Sequence, residues 1–455
     1  MKKIVIILLC FCFLMGNLCF SVAAEKNEND CGGIDAQSAI IENSIVSNVT
    51  AAVVYEVNSD TMMYAMNIDE KLYPASFVKI MTALIALERG NLTDEVTVTQ
   101  EALNAVSPGA VTKDLMVGEK LSLKDLVYCM LTGSANDAAA VIAVHLGGSV
   151  SNFVNMMNVR AGELGCTNTN FVDPHGIQSR GQYSTARDMV RIIRAALEVD
   201  GFRDVFGAVN YTVSSTNFSP ERELKTANYM MDNRLQNYYD RRVTGGRTGV
   251  AANLSRCVAV TASSGNMEVI SVVFGAKPRF AADGYTVEFE GGFKEISQML
   301  DATISTYRIA QVFYQGQALS QRVVSNGDND LVLVPAEGKT VLVPKDFNAD
   351  DLEYRYTDAG KTYVAPIEQG SAQGSVEVWL DGKCLATVSL LAGNNVAVSH
   401  EKLVQLNHGD NDNAVVWIVL VILAVVAVVA YFRFKTLSRR KGRGRRPAAR
   451  RRHYE

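Results

Sequence analysis

The chain has 455 residues, enough for more than one domain, and its 44 basic and 48 acidic side chains give a formal net charge of −4. The balance is uneven, because residues 25–413 hold 31 basic against 47 acidic side chains, about −16, and the basic excess lies at the two ends. An acidic central part disfavours nucleic acid as its partner, although it leaves room for a local basic site that binds one carboxylate.

Residues 1–24 have the three parts of a secretory signal peptide. Two lysines precede an apolar run over residues 4–15, and small residues end the segment at Ala24. We predict cleavage after Ala24, followed by a polar linker over residues 25–46. An uncleaved transmembrane anchor is the alternative, but no basic stop-transfer cluster follows the apolar run.

A second apolar stretch lies near the C-terminus at residues 414–432, after a linker over residues 401–413. Its 19 residues carry no charge and would span about 28 Å as a helix, close to the hydrocarbon thickness of a bilayer. Residues 433–455 follow with 11 Lys or Arg against the single acid Glu455, which is typical of the cytoplasmic side.

We therefore predict a single-pass cell-membrane protein with an extracytoplasmic ectodomain and a cytoplasmic basic tail. A nucleic-acid-binding tail is the alternative, but membrane orientation and anionic lipid already explain a basic cluster beside a span.

Cleavage would reduce the eight cysteines to five, namely Cys31, Cys129, Cys166, Cys257 and Cys384. An odd number leaves at least one free thiol, and no disulfide framework is evident. Cys129, Cys257 and Cys384 lie in apolar helix or strand patterns, so we interpret them as small core residues. The five histidines have no ligand spacing, and we expect neither a metal nor a cofactor.

The first catalytic candidates lie at the start of an apolar helix predicted over residues 73–89. A hairpin around residues 58–60 leads into this helix, and Ser76 and Lys79 are one turn apart on it. A buried Lys has a lowered pKa and can take a proton from a serine hydroxyl. Spacing alone leaves a helix cap with a snorkelling Lys as the alternative, because Ser399 and Lys402 match the same pattern.

A second candidate site is the tripeptide Ser134-Ala135-Asn136. It falls on a turn between two predicted helices, the first starting at a capping box of Ser122 and Asp125. Such a turn holds polar side chains rigidly, but a plain helix N-cap explains the tripeptide equally well.

A third candidate is Arg247-Thr248-Gly249, at the beginning of a strand region. Strands are predicted over residues 256–262 and 267–276, and a helix over residues 290–307 closes an α+β domain spanning residues 47–312. A Gly in a strand lets another backbone approach closely.

Beyond residue 312 the composition changes to short alternating strands without helices. Asp381-Gly382 lies between two such runs and is a strong hairpin signal. We predict a separate small β domain over residues 313–400.

The three candidate sites resemble, in chain order, the active-site motifs of penicillin-binding proteins and serine β-lactamases. The stretches PASFVKIMT, LTGSANDAA, DPHG and YSTARDM are similar to those of the D-alanyl-D-alanine carboxypeptidase family of low-molecular-mass penicillin-binding proteins. This resemblance covers roughly residues 45–310, and residues 365–392 resemble the β domain that follows the catalytic domain in that family. It implies a penicillin-binding, β-lactamase-like catalytic domain with an antiparallel sheet and helices.

The resemblance also implies acyl transfer from peptidoglycan stem peptides, with β-lactam antibiotics as covalent inhibitors. Ser76 would be the nucleophile, Lys79 its base, and Ser134 a proton relay to the leaving amine.

Substrate binding would fall to Asn136, Arg247, Thr248, Gly249 and Val250, with the N–H groups of Ser76 and Val250 forming the oxyanion hole.

Two residues depart from the family pattern. Arg247 stands where the family usually has Lys, so the charge is kept but an acid is lost. Val250 and Ala251 stand where polar side chains are usual.

A catalytically weak or inactive wall-binding scaffold is therefore the main alternative function. A β-lactamase fits less well, because no Glu between Ser134 and Arg247 has Asn four residues on.

Overall fold

The computed structural model describes residues 33–36, 39–41, 44–177, 180–251, 254–283, 287–358, 360–399 and 416–435. The predicted signal peptide, the linker 401–413 and the tail beyond Lys435 lie outside these residues.

The described chain forms two compact units. One lies within Met1–Tyr314, Gly338–Arg355 and Val376–Val388, and the other within Gln315–Glu337, Tyr356–Ser375 and Ser389–Glu455. The domain bounds drawn from the sequence stay predictions.

The strands of the described chain are numbered in chain order. They are β1 (Ala51–Glu56), β2 (Thr61–Met66), β3 (Glu95–Thr97), β4 (Lys120–Ser122), β5 (Asn210–Val213), β6 (Arg222–Lys225), β7 (Val243–Val250), β8 (Arg256–Ser264), β9 (Met267–Ala276), β10 (Arg279–Phe280), β11 (Val287–Phe289), β12 (Tyr307–Phe313), β13 (Ser320–Arg322), β14 (Val324–Ser325), β15 (Leu331–Pro335), β16 (Lys339–Pro344), β17 (Glu353–Tyr356), β18 (Tyr363–Val364), β19 (Ala372–Leu380) and β20 (Lys383–Ala392).

The helices are numbered in the same way. They are α1 (Val78–Arg89), α2 (Gln100–Asn104), α3 (Leu123–Leu131), α4 (Asn136–Gly147), α5 (Val150–Glu163), α6 (Ala186–Leu197), α7 (Phe202–Phe206), α8 (Phe293–Ile304) and α9 (Val416–Lys435), with single 3-10 turns at Ala75–Phe77, Tyr229–Met231 and Ala349–Asp351.

The larger unit is built on a five-stranded antiparallel sheet with the strand order β2-β1-β9-β8-β7. Successive side chains of β1 enter different cores, because neighbouring residues of a strand point to opposite faces. Val53 and Tyr55 join the core that contains α1 and α3 to α6, whereas Ala52 and Val54 join the core that contains α8. The sheet lies between helical layers, which confirms the predicted α+β class.

Local sequence signals explain where several elements begin and end. The side-chain oxygen of Ser122 accepts a hydrogen bond from the N–H of Asp125, so Ser122 is the N-cap of α3. The Asp125 carboxylate accepts from the Ser122 hydroxyl. The hairpin between β19 and β20 turns at Asp381 and Gly382, whose φ angles of 50° and 76° are both left-handed, as a two-residue hairpin loop requires.

In the smaller unit, β13 pairs with β15, β15 pairs with the last residues of β20, and β14 pairs with β18. Helix α9 is long and apolar enough to cross a membrane by its length and composition.

The short helix α2 begins where Thr99 accepts a hydrogen bond from the Ala102 N–H. One sequence interpretation was wrong. Cys384 was interpreted as a core residue, but it is partly exposed and disulfide-bonded. Strand periodicity does not reveal a covalent partner.

Candidate active site

Ser76 lies in the single 3-10 turn Ala75–Phe77, just before the first residue of α1. The sequence predicted one helix through this point, but in the structure the 3-10 turn continues through Phe77 and the α-helix begins at Val78. Ala75 and Phe77 are buried while Ser76 is partly exposed, and the Phe77 ring packs edge-on against Phe274 of β9, with ring centroids 5.2 Å apart. The Ser76 hydroxyl is therefore held in place and remains accessible to solvent.

Lys79 is completely buried on the next turn. Its amine nitrogen Nζ lies 3.3 Å from Ser76 Oγ, 2.7 Å from Asn136 Oδ1 and 2.8 Å from the His175 carbonyl oxygen. An amide oxygen and a carbonyl oxygen can only accept hydrogen bonds, so they take two N–H groups of the amine. A neutral amine then has one lone pair left, and the remaining contact is the Ser76 hydroxyl.

Electrostatics favour this neutral form. The pKa of Lys79 lies well below its ordinary value, chiefly because burial penalises the ammonium and further because Arg247 is a nearby cation. The carboxylates of Asp173 and Asp137 act in the opposite direction but do not outweigh these two effects. Lys79 is thus suited to accept a proton from Ser76.

Ser134 and Asn136 face this pair from the turn between α3 and α4. Ser134 has a left-handed φ of 60°, which is uncommon outside glycine. Asn136 is the first residue of α4, and its side-chain Nδ2 donates to the Val111 carbonyl oxygen at 2.9 Å while Oδ1 accepts from Lys79. Both amide ends of Asn136 are therefore engaged, which fixes the orientation of the side chain.

Arg247 lies on β7 and is only 2% exposed. Its Nη1 donates to the Leu131 carbonyl oxygen at 2.8 Å and its Nη2 donates to Ser134 Oγ at 2.6 Å, whereas Nε has no hydrogen-bond partner within the described chain. Burial lowers the pKa of Arg247 to about 10, so the side chain is still a cation at neutral pH. The guanidinium is thus held behind Ser134 by groups of the chain itself.

Two glycines allow the backbone segments of the site to touch. A Cβ on Gly249 would lie 2.8 Å from the Ser76 nitrogen, so β7 passes directly beside the backbone of Ser76. A Cβ on Gly176, which has a φ of 85°, would lie 1.9 Å from the Ala75 carbonyl oxygen. Neither position has room for a side chain, and both segments fix where Ser76 stands.

The other two predicted residues follow on the same strand. Thr248 is buried, and its Oγ1 donates to the Ala227 carbonyl oxygen at 3.4 Å. Val250 ends β7 and is 50% exposed. The three sequence candidates therefore converge on one site. Hydrogen bonds join Ser76, Lys79 and Asn136 in one group and Ser134 with Arg247 in another, and the charge of Arg247 acts on Lys79.

The sequence analysis missed the contribution of residues 173–176. The tetrapeptide entered only as part of the family resemblance, but in the structure it is a turn that supplies a hydrogen-bond acceptor for Lys79 through the backbone of His175. The available signal was the tetrapeptide Asp-Pro-His-Gly, since an Asp before such a turn accepts hydrogen bonds from the following N–H groups.

A partly exposed serine beside a buried lysine amine defines a class of enzymes that form a covalent acyl intermediate on serine. The fold is similar to that of penicillin-binding protein 5 from Haemophilus influenzae, with a TM-score of 0.65 at 27% identity, covering 78% of this chain and 99% of that chain.

Sequence comparison identifies the family more narrowly. Residues 38–278 match the S11 peptidase family, described as D-alanyl-D-alanine carboxypeptidase, and residues 307–398 match the C-terminal domain of penicillin-binding protein 5. This chain belongs to the D-alanyl-D-alanine carboxypeptidase family.

Two relatives extend over most of the chain. D-alanyl-D-alanine carboxypeptidase DacA of Haemophilus influenzae is 30% identical over 385 residues, covering 83% of this chain and 90% of the relative. D-alanyl-D-alanine carboxypeptidase DacF of Bacillus subtilis is 28% identical over 352 residues, covering 76% of this chain and 85% of the relative.

Proposed function

We propose that this protein is a serine D-alanyl-D-alanine carboxypeptidase that removes the terminal D-Ala from peptidoglycan stem pentapeptides. The observation that carries the proposal is the buried Lys79 amine, whose one contact able to donate a proton is Ser76 Oγ at 3.3 Å. The names of its relatives, which are D-alanyl-D-alanine carboxypeptidases, support the same substrate.

In the acylation step, Ser76 Oγ attacks the carbonyl carbon of the penultimate D-Ala while its proton passes to Lys79 Nζ. The developing oxyanion is stabilised by the N–H groups of Ser76 and Val250. The close approach of Gly249 to the Ser76 nitrogen supports this assignment, because it places the end of β7 beside the attacking residue.

When the tetrahedral intermediate collapses, the peptide C–N bond breaks and the D-Ala amine needs a proton. Ser134 relays it from Lys79 to the leaving nitrogen. Arg247 cannot supply this proton, because a guanidinium does not act as an acid near neutral pH. Its Nη2 donates to Ser134 Oγ, which leaves the hydroxyl hydrogen of Ser134 free to be passed on.

Hydrolysis of the acyl-enzyme restores the free enzyme. Lys79, again neutral after the amine has left, takes a proton from a water molecule that attacks the acyl ester on Ser76. As the acyl C–O bond breaks, Lys79 returns this proton to Ser76 Oγ, the shortened stem peptide leaves, and both the Ser76 hydroxyl and neutral Lys79 are restored.

Substrate binding uses the remaining residues of the site. Asn136 holds the substrate backbone as well as Lys79, and Thr248, Gly249 and Val250 line the strand edge along which the peptide lies. The terminal carboxylate binds at the hydroxyl groups near Arg247, whose charge lies directly behind Ser134. The same site accepts β-lactam antibiotics as covalent inhibitors of Ser76.

The protein acts at the outer face of the cell membrane. Helix α9 supports a single-pass anchor, since it is long and apolar enough to span a bilayer, and the basic residues behind it favour a cytoplasmic tail.

The first test asks whether Ser76 is a nucleophile. Full-length protein in detergent should bind fluorescent penicillin covalently at one label per chain, on the peptide that contains Ser76, and should release D-Ala from a peptide ending in D-Ala-D-Ala. Ser76→Ala should abolish labelling, and Lys79→Ala should nearly abolish it, because each removes one end of the proton transfer.

Folding is checked by thermal unfolding of each variant. A folded wild-type protein that neither labels nor releases D-Ala would support the inactive scaffold instead, and rapid turnover of the penicillin adduct would support a β-lactamase.

The second test concerns Arg247. Arg247→Ala should lower kcat/KM for D-Ala release by about tenfold or more, since loss of a buried charged donor costs a few kcal/mol. Arg247→Lys keeps the charge and should retain most of the activity or improve it. Equal kcat/KM values for the Ala variant and the wild type would mean that the carboxylate is bound elsewhere.

The third test concerns topology. Protease added to intact protoplasts should digest everything before residue 414, because the ectodomain faces outward. Protection of the full ectodomain, under conditions that digest a known surface protein, would overturn this placement.

A further inference from the structure

We propose that Asp173 is a positioning residue for Lys79: its carboxylate holds the turn whose carbonyl oxygen fixes the lysine amine, and its charge acts on the same amine. The inference rests on the proposed function, because it presupposes that Lys79 is the base for Ser76.

The turn and helix α1 are joined by two hydrogen bonds from the same face of the helix. Lys79 Nζ donates to the His175 carbonyl oxygen at 2.8 Å, and Thr82 Oγ1 donates to the Pro174 carbonyl oxygen at 2.6 Å. Lys79 and Thr82 are three residues apart and so are neighbours on the helix surface. The position of the lysine amine therefore depends on where two backbone carbonyls of this turn are held.

The Asp173 carboxylate holds those carbonyls from inside the turn. Oδ1 accepts hydrogen bonds from the N–H of His175, at 3.0 Å, and from the N–H of Gly176, while Oδ2 accepts from Gln182 Nε2 at 3.1 Å. The His175 ring is anchored as well, with Nδ1 3.0 Å from Asp173 Oδ1 and Nε2 3.3 Å from the Ala105 carbonyl oxygen. Asp173 is 8% exposed, so water cannot readily replace these contacts.

The far side of the turn is pressed against the nucleophile. Gly176 has no room for a Cβ because the Ala75 carbonyl oxygen would lie 1.9 Å away, and the Tyr73 hydroxyl donates to the Gly176 carbonyl oxygen at 2.6 Å. A shift of this turn would thus move Lys79 and the backbone before Ser76 together. One carboxylate sets the geometry of both partners of the proton transfer.

Asp173 also acts through its charge. Burial raises the pKa of its carboxyl, but the His175 ring and the N–H groups of the turn outweigh burial, so the pKa lies below its ordinary value and the group is ionised. The charged groups that act on the Lys79 amine are Arg247, which favours the neutral form, and Asp173 and Asp137, which favour the ammonium. Removing the charge of Asp173 leaves Asp137 as the one carboxylate among these groups.

The sign of the pH effect follows. Acylation requires neutral Lys79, so the acid limb of the rate profile reports the loss of the lysine proton. Without the negative charge of Asp173 the neutral amine is favoured at a lower pH, and the acid limb must move to lower pH.

The experiment measures the second-order rate constant for acylation of the full-length protein by fluorescent penicillin as a function of pH. Asp173→Asn should lower the plateau rate about tenfold or more, since small misplacements of a reacting group have effects of this size, and should shift the acid limb to lower pH. Gln182→Ala removes one hydrogen bond to the Asp173 carboxylate, together with those that Gln182 Oε1 accepts from the N–H groups of Val172 and Asp173. It keeps the charge of Asp173, so it should lower the rate less and leave the acid limb in place.

Asp188→Asn is the matched control. Asp188 is also a buried carboxylate that accepts from the Asn168 N–H and the Thr169 hydroxyl, and it forms an ion pair with Arg191. It belongs to α6, and its carboxylate is not among the charged groups that act on Lys79. It should lower the melting temperature while the rate constant and the acid limb stay at wild-type values.

A wild-type rate and limb in folded Asp173→Asn would overturn this inference and leave the proposed function standing, provided that Lys79→Ala fails to label. Absence of labelling in the wild type would instead overturn the proposed function and this inference with it. If Asp173→Asn does not fold, a Gln182→Ala protein with the wild-type rate would overturn the inference.

Discussion

The structure depends on one costly placement, a lysine amine removed entirely from water. An ammonium in such a position loses its hydration, which disfavours the charged form. Two acceptors contact the nitrogen instead of water, namely Asn136 Oδ1 and the His175 carbonyl oxygen. These acceptors take two N–H groups of a neutral amine, so its lone pair can be directed at the Ser76 hydroxyl. Burial of Lys79 therefore destabilises its charged form, and the two acceptors orient the neutral amine towards Ser76.

The same placement explains why the chain brings four segments to one point. The 3-10 turn and helix α1 carry Ser76 and Lys79, and the first residue of α4 is Asn136. Strand β7 brings Gly249 against the Ser76 nitrogen, and the turn at residues 173–176 lies on the remaining side. The two contacting glycines admit no Cβ, so the segments are located by backbone contact rather than by long side chains. Backbone segments in direct contact have few alternative arrangements, so they keep the distance and orientation between Ser76 and Lys79 fixed.

The sequence revealed the side chains of this site more fully than its backbone. Ser76, Lys79, Ser134 and Asn136 could be singled out because the three candidate sites, in chain order, resemble the motifs of a known family, whereas the spacing of each pair alone left helix caps as alternatives. The role of the His175 carbonyl could not be found, since any residue has a carbonyl and only the folded turn determines where it points. The burial of Arg247 could not be found for a related reason, because a charged side chain in a sequence gives no sign that the Leu131 carbonyl oxygen and the Ser134 hydroxyl accept its hydrogen bonds.

The most direct measurement of this mechanism is the titration of the Lys79 amine itself. Full-length protein labelled with carbon-13 at the lysine ε-carbon would be followed by NMR, with the Lys79 signal assigned by its absence in Lys79→Ala. Because burial and Arg247 disfavour the ammonium, this signal should titrate at a clearly lower pH than the signals of the surface lysines. Titration together with the surface lysines would contradict the assignment of Lys79 as the base.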